Sequence, residues 1–185
     1  MTYQIIAKEI LETINKTLSD DILNLQMLEI SNLIRNFDQN NKIVCLFGNG
    51  GSAADAQHFA AELICTYKSR TRKPYKAIAL TTDSSIITAY ANDFNYDLIF
   101  CRQIEALANL LGMSIGFSTS GKSKNVISAL NYSKEIGLKT ILFCGDHEID
   151  NTNIDLIIKI PSKNTAIIQT ITQMLYHSIC QNLEE

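Results

Sequence analysis

The sequence contains no tryptophan, only two prolines and no long hydrophobic run. A membrane-spanning helix needs about 20 consecutive apolar residues, whereas the longest apolar runs here have only the length of a strand. The first ten residues also lack the basic segment and the apolar stretch of a secretory signal. We therefore expect a protein with no membrane partner that is not exported.

Neither sign of charge dominates the sequence. Lys and Arg total 16 and Asp and Glu total 19, which gives a formal net charge of -3. A nucleic-acid-binding domain normally carries an excess of basic residues. The composition therefore predicts no nucleic-acid partner.

The cysteines show no pattern of paired or metal-binding thiols, because their number is odd and no Cys-x-x-Cys occurs. Each lies in an apolar segment, which predicts buried free thiols in a reducing compartment, the cytoplasm. The five cysteines are Cys45, Cys65, Cys101, Cys144 and Cys180.

Hydrophobic periodicity divides the chain into alternating strands and helices. Its 185 residues suit a single domain, with a helical segment at 1–40 and an α/β core at 41–185. Helices are predicted within 4–40 (two, with Ser19-Asp20-Asp21 as the N-cap region of the second), 53–66, about 84–110, 124–136 and 165–183. Strands are predicted at 43–47, 77–80, 113–117, 140–144 and 154–160. This alternation predicts an α/β fold, a five-stranded parallel sheet between helices with function at the carboxyl ends of the strands.

Two loops that follow predicted strands are small and polar. Gly48, Gly50 and Gly51 allow a tight turn close to a ligand, and Ser52 is suited to cap the next helix. The second loop, 118–123, carries four hydroxyl groups at the start of another helix. Hydroxyls and free amides at a helix N-terminus suit a phosphate. Helix capping alone would explain one such loop, but two at the same edge of the sheet favour a phosphorylated small ligand.

Other phosphate-binding motifs fit this sequence less well. The segment GNGGSA matches the loose G-x-G-x-x-A dinucleotide pattern, but no acidic residue follows at the end of a second strand about 20 residues later, and Asp83 comes too late. Gly121-Lys122-Ser123 lacks the earlier glycine of a Walker A motif. We therefore expect neither an NAD-dependent nor an NTP-dependent enzyme.

Polar side chains recur at helical spacing within two otherwise apolar helices. His58 and Glu62 are four residues apart on the first, and Gln169, Gln173 and His177 follow one face of the last. These residue types suit either a metal site or an acid–base pair, and their spacing alone does not choose between the two. Gln169 and His177 would lie about 12 Å apart on a straight helix.

Several segments of the chain resemble the phosphoheptose isomerases, which belong to the sugar isomerase (SIS) superfamily. These segments are GNGGSAADAQHFAAEL (48–63), ALTTD (79–83), ANDF (91–94), IFCRQIEAL (99–107), STSGKS (118–123) and NTAIIQ (164–169) followed by His177. The resemblance implies a SIS-type three-layer sandwich, a homotetramer assembled through the two N-terminal helices, and active sites at subunit boundaries. It also implies one Zn2+ per subunit, bound by His58, Glu62, Gln169 and His177.

The activity that this resemblance implies is the isomerisation of D-sedoheptulose 7-phosphate to D-glycero-D-manno-heptose 7-phosphate through an enediol, the first step of nucleotide-activated heptose biosynthesis. Glu62 would be the base and His177 the acid. The implied substrate contacts come from Asn49, Gly50, Gly51, Ser52, Glu62, Asn92, Asp93 and Gln169, and from Ser118, Thr119, Ser120 and Ser123 at the phosphate.

Two alternatives and three departures accompany this interpretation. Some SIS proteins are regulators that bind the replication initiator DnaA, but these typically read GNGTS and lack the Glu and the last His, whereas Gly51, Glu62 and His177 are present here. An isomerase of another phosphosugar is the second alternative. Ile167 and Thr170 stand where the family usually has Arg and Glu, the loop 145–151 is short, and Leu111-Gly112 replaces the usual Gly-Asp.

Overall fold

The computed structural model describes residues 2–149 and 153–185. The helices are α1 (Thr2–Leu18), α2 (Asp21–Gln39), α3 (Gly51–Ile64), α4 (Ser84–Asp93), α5 (Ile99–Leu107), α6 (Lys124–Glu135) and α7 (Thr165–Glu184), with a 3-10 turn at Tyr96–Leu98. The strands are β1 (Ile43–Gly48), β2 (Ala77–Ala79), β3 (Leu111–Phe117), β4 (Lys139–Gly145) and β5 (Leu156–Ile160). The predicted alternation of strands and helices is confirmed.

All five strands run parallel in the order β2-β1-β3-β4-β5. From β1 the chain crosses towards one edge of the sheet to form β2. From β3 it crosses towards the opposite edge to form β4. The loops after β1 and β3 therefore lead away from each other, and such a switch point opens a crevice at the carboxyl ends of the strands. The two polar loops identified in the sequence both border this crevice.

Alternate residues of the strands build two separate cores, one on each face of the sheet. Val44 and Leu46 of β1 point into the first core, which α2, α3 and α7 cover. Cys45 and Phe47 point into the second core, which α5 and α6 cover. The architecture is therefore the predicted sandwich of helix, sheet and helix layers.

The N-terminal helices lie on the first face but are only partly buried. Asp20 caps α2, as predicted, because its side chain accepts a hydrogen bond from the Leu23 amide. Both helices pack against α7. Large apolar side chains of α1 and α2 remain exposed, namely Tyr3, Ile5, Ile6, Leu11, Leu18, Ile22, Leu25 and Leu28. The division into segments 1–40 and 41–185 stays a prediction.

Two details differ from the sequence-based expectation. Ser52 lies inside α3 and is buried, and the residue that precedes the helix is Gly50, so the prediction that Ser52 caps this helix is wrong. All five cysteines are free, but the prediction of buried thiols is wrong for Cys65, which is exposed directly after α3, and holds only in part for Cys101, which is partly buried against the second core. The loop predicted at 145–151 extends beyond the described residues at its end.

Within residues 2–149 and 153–185, no helix has both the length and the apolar character needed to cross a bilayer.

Candidate active site

The loop after β1 is held in a fixed shape by close packing. A Cβ on Gly48 would lie 2.7 Å from the Ser52 carbonyl oxygen and 2.9 Å from that of Phe117, so only glycine fits there. Gly50 has a φ of 55°, in the left-handed region that glycine adopts without strain. The loop therefore lies against β3, next to the loop that follows that strand.

A pair of carboxamides connects the two loops of the crevice. Asn49 donates to the Asn125 side-chain oxygen, and Asn125 donates back to that of Asn49, both at 2.8 Å. The Tyr96 hydroxyl also donates to the Asn49 oxygen at 3.0 Å. Asn125 is buried at the start of α6. Asn49, a predicted substrate ligand, is thus oriented by Asn125, a residue that the sequence reasoning did not single out.

The second loop presents its hydroxyl groups at the N-terminus of α6. The Ser118 hydroxyl donates to Ser123 Oγ at 2.9 Å, and Ser120 Oγ accepts from the Lys122 amide at 3.1 Å. Thr119 is partly exposed and Ser120 is exposed. The positive end of the helix dipole points into this loop, as an anion site requires.

A second cluster lies further along α3, where this helix packs against α7. His58 Nε2 is 3.3 Å from Glu62 Oε1, and the rings of His58 and His177 are 5.2 Å apart. One potential ligand atom from each of these three residues lies within 4.8 Å of the other two. Two imidazoles and one carboxylate at this spacing are a donor set that Zn2+ accepts.

Partial burial shifts the pKa of His177 and that of Asp55, one turn before the cluster on α3. Burial, aided by the nearby His58, lowers the pKa of His177, although Glu62 acts in the opposite direction. His177 is therefore neutral at pH 7, which leaves a nitrogen lone pair for a metal or a proton. Burial raises the pKa of Asp55, one turn before His58, to about 6, against the opposing effect of His58.

The other predicted site residues lie elsewhere in the chain. The Gln169 carboxamide contacts Gly51, at the N-terminal end of α3. Asn92 and Asp93 lie exposed at the end of α4, where Asn92 donates to Asp93 Oδ1 at 2.7 Å. Of the four residues predicted to bind zinc, three meet in this chain, while Gln169 lies beside the first loop.

Two side chains of α7 complete the surroundings of His58. The Tyr176 hydroxyl is 2.9 Å from His58 Nδ1, and Gln173 Nε2 is 3.4 Å from the same atom. The sequence had drawn attention to Gln173 but not to Tyr176, which reads as an ordinary core aromatic. Its role depends on the packing of two helices, which no spacing within one helix reveals.

The loop after α3 is fixed by a buried ion pair. Glu184, near the end of α7, accepts hydrogen bonds from the Tyr67, Lys68 and Ser69 amides and pairs with Arg72 Nε at 3.3 Å. The Glu184 and Arg72 side chains are only 5% and 9% exposed.

Arg72 also joins this loop to the end of α3, because its guanidinium donates to the Glu62 and Leu63 carbonyl oxygens. The Tyr67 ring lies 5.4 Å from the His177 ring. The ion pair therefore holds the backbone at Glu62 and positions the Tyr67 ring beside His177.

Ile167 and Thr170, the two residues of α7 that depart from the family pattern, have different surroundings. Ile167 is fully buried in the core between α7 and the sheet. Thr170 is exposed and donates to the Ala166 carbonyl oxygen of its own helix. The apolar side chain at 167 thus belongs to the first core.

Comparison with known proteins matches this geometry to one family. Residues 2–145 match the SIS domain family. A phosphoheptose isomerase from Campylobacter concisus (strain 13826) is 43% identical over 180 residues, which cover 96% of this chain and 95% of the relative. The chain belongs to the phosphoheptose isomerase family. The isomerase class predicted from the sequence is thereby confirmed.

Solved structures of this family have the same fold. A phosphoheptose isomerase from Francisella tularensis has a TM-score of 0.89 and 26% identity, covering 98% of this chain and 96% of its own. One from Neisseria gonorrhoeae has a TM-score of 0.82 and 33% identity, covering 100% of this chain and 99% of its own. The similarity includes the N-terminal helices as well as the sheet.

Proposed function

We propose that this chain isomerises D-sedoheptulose 7-phosphate to D-glycero-D-manno-heptose 7-phosphate. The observation that carries this proposal is the convergence of His58, Glu62 and His177, with ligand atoms within 4.8 Å of one another. A carboxylate and a neutral imidazole side by side are the groups that proton transfer between adjacent carbons requires. Membership of the phosphoheptose isomerase family supports the choice of substrate.

The loop residues would hold the phosphate end of the substrate. Ser118, Thr119, Ser120 and Ser123 surround the N-terminus of α6, where hydroxyls and the helix dipole favour a dianion. Asn49, Gly50, Gly51 and Ser52 would contact the sugar from the neighbouring loop, and Asn92 and Asp93 from α4.

Glu62 would move the carbon-bound proton. Its carboxylate removes a proton from C1 of the ketose, the C1–H electrons form the C1–C2 double bond of the enediol, and the same proton returns to C2. His177 would carry a proton from the C1 hydroxyl to the C2 oxygen, so that C1 becomes the aldehyde. The lowered pKa of His177 leaves it neutral and able to accept that proton.

The cluster would also hold the metal. His58, Glu62 and His177 offer two imidazole nitrogens and a carboxylate, a donor set that fits zinc. A bound Zn2+ would polarise the carbonyl and stabilise negative charge on the reacting oxygens. A metal bound to Glu62 would lower the basicity of its carboxylate, so the Glu62→Gln variant tests whether one residue has both roles.

We further propose a homotetramer in which a neighbouring protomer supplies Gln169. Helix α7 continues without interruption from Thr165 to Glu184, so Gln169 lies about 12 Å along it from His177. The exposed apolar side chains of α1 and α2 are suited to the contact between subunits. The cytoplasmic location likewise stays a prediction.

The test is to incubate the purified protein with sedoheptulose 7-phosphate in D2O and follow the aldoheptose phosphate by NMR. Deuterium at C2 of the product is expected wherever the enediol exchanges its proton with solvent. Removal of metal with a chelator should abolish turnover, and zinc should restore it. Turnover that is indifferent to chelation would leave Glu62 and His177 as an acid–base pair without a metal.

Two variants and two matched controls test the roles of the residues. Glu62→Gln and His177→Gln should each reduce kcat by about 10²- to 10⁴-fold. Glu135→Gln, at the exposed end of α6, and His147→Gln, in the loop after β4, make the same changes at residues outside the cluster. Parent turnover by Glu62→Gln would show that another group is the base. No turnover by a folded, zinc-loaded parent would redirect the search to another phosphosugar.

A further inference from the structure

The ring of His58 is held at both nitrogens. Its Nε2 faces Glu62 Oε1 at 3.3 Å, while its Nδ1 faces the Tyr176 hydroxyl at 2.9 Å and Gln173 Nε2 at 3.4 Å. Glu62 belongs to the proposed reaction, but Tyr176 and Gln173 do not. Both come from α7, the helix that also carries His177.

The position of the Tyr176 hydroxyl is fixed by the packing of its ring. Tyr176 is fully buried, and its ring stacks on that of Phe59 with centroids 5.1 Å apart and planes 13° apart. The Tyr176 and His58 rings are packed edge to face, with centroids 5.4 Å apart. A side chain held this way keeps its hydroxyl in one place whether or not His58 binds a ligand.

This hydroxyl remains protonated at neutral pH. A phenol has an ordinary pKa of about 10, well above neutral pH. A neutral phenol both donates and accepts hydrogen bonds. It can therefore serve either tautomer of the imidazole.

We propose that Tyr176 is the positioning residue that holds His58 for metal binding, an inference that rests on the proposed function. When Nε2 carries the proton and donates to Glu62, Nδ1 accepts from Tyr176. When Nε2 is a metal ligand, the proton is on Nδ1, which donates to the Tyr176 oxygen. His58 thus exposes its Nε2 lone pair without losing its hydrogen bond at Nδ1.

Gln173 is the weaker second partner. Its carboxamide presents either an NH2 group or an oxygen to Nδ1, depending on its orientation, but at 3.4 Å the contact is long and the side chain is exposed. Removal of the Tyr176 hydroxyl would therefore leave His58 with a partner that solvent can displace.

The primary test measures the zinc affinity of Tyr176→Phe by competition with a chromogenic chelator. Hydrogen-bond partners of metal-binding histidines contribute about 10- to 100-fold in affinity. We expect about 10-fold weaker binding for the single variant, because Gln173 remains, and a larger loss for Tyr176→Phe combined with Gln173→Leu. The matched control is Tyr75→Phe, which removes a hydroxyl bonded to the Leu183 carbonyl oxygen of the same helix.

The second readout needs neither metal nor activity. In the metal-free protein at pH 8, the 15N resonance of the unprotonated His58 Nδ1 should move downfield in Tyr176→Phe, as expected when a hydrogen-bond donor is lost. The control Tyr75→Phe should leave it unchanged. With saturating zinc, Tyr176→Phe should recover most of the parent kcat.

The outcomes separate this inference from the proposed function. If the parent binds zinc and Tyr176→Phe binds it within twofold of both parent and control, the inference is overturned while the isomerase proposal stands. If the parent binds no zinc, the metal role fails, and the inference with it. An unmoved Nδ1 resonance would also overturn it, whatever the activity.

Discussion

Replacement of Glu184 by Gln tests whether the buried ion pair behind the cluster stabilises the protein. The Glu184 carboxylate accepts from three consecutive backbone amides and from Arg72 Nε, and its side chain is only 5% exposed. Glutamine has nearly the same shape but lacks the charge and has one accepting oxygen instead of two. Its NH2 group would also face amide N–H donors.

The size of the effect follows from these contacts. A hydrogen bond to a charged group contributes about 1.5–3 kcal/mol, and loss of one partner of a buried ion pair costs about 3–5 kcal/mol. Glutamine keeps part of the network, and Arg72 keeps its bonds to carbonyl oxygens of α3. We expect the free energy of unfolding to fall by about 3 kcal/mol at pH 7.

The effect should depend on pH in a defined direction. Burial alone would raise the pKa of Glu184, but hydrogen bonds from the Ser69, Tyr67 and Lys68 amides and from Arg72 outweigh it and hold the pKa below the ordinary value. The carboxylate therefore stabilises the folded state above the ordinary glutamate pKa of about 4.3. This contribution is lost as the pH falls through the lower folded-state pKa.

The assay is urea unfolding followed by circular dichroism at 222 nm, because the chain has no tryptophan. Protein concentration is held constant, since subunit association would contribute to the midpoint. The control is Glu185→Gln, whose exposed carboxylate accepts a hydrogen bond from the Gln181 side chain. A Glu184→Gln variant as stable as this control at pH 7, or a difference that persists undiminished at pH 3, would refute the reasoning.

Three further predictions concern the crevice and the cluster. Asn125→Ala should lower the free energy of unfolding by about 1–3 kcal/mol in urea titrations, because it leaves the Asn49 carboxamide without its buried partner. Gly51→Ala should change the thermal midpoint little but alter KM, because the new methyl group displaces only the flexible end of Gln169. Burial raises the Asp55 pKa from 3.8 to about 6, so ionisation of Asp55 lowers the free energy of unfolding by at most about 3 kcal/mol. Because Asp55 is partly exposed, we expect about 1–2 kcal/mol. Since ionised Asp55 weakens the folded state, metal-free Asp55→Asn should be more stable than the parent above pH 6, and the difference should disappear towards pH 4 in urea titrations.

The sequence predicted the elements of this fold better than their arrangement. Alternating apolar strands and helices are local patterns, so the five strands could be placed from the sequence. The order β2-β1-β3-β4-β5 depends on the side to which each crossover goes, which no single segment encodes. Gly51 shows the limit at boundaries, because two successive glycines predict a loop while the helix already begins at the second.

The sequence likewise indicated some residues of the candidate site and not others. His58 and Glu62 were recognisable as a pair because they share one helix face, and His177 because polar residues recur along α7. Tyr176 and Asn125 were not, since each matters only through a side chain on another element. Family resemblance supplies ligand sets, whereas the groups that orient the ligands become visible only when the helices are packed.

The residues proposed to bind the two ends of the substrate pack on different cores of the sandwich. The loop proposed to bind the phosphate leads into α6, which packs on one face of the sheet, whereas the residues proposed to bind the metal lie on α3 and α7 on the opposite face. Repacking beneath α6 can therefore reshape the pocket for the phosphorylated end while the proton-transfer groups stay in register. A substitution beneath α6 should therefore change the KM for any phosphosugar while leaving the proton-transfer step unaltered.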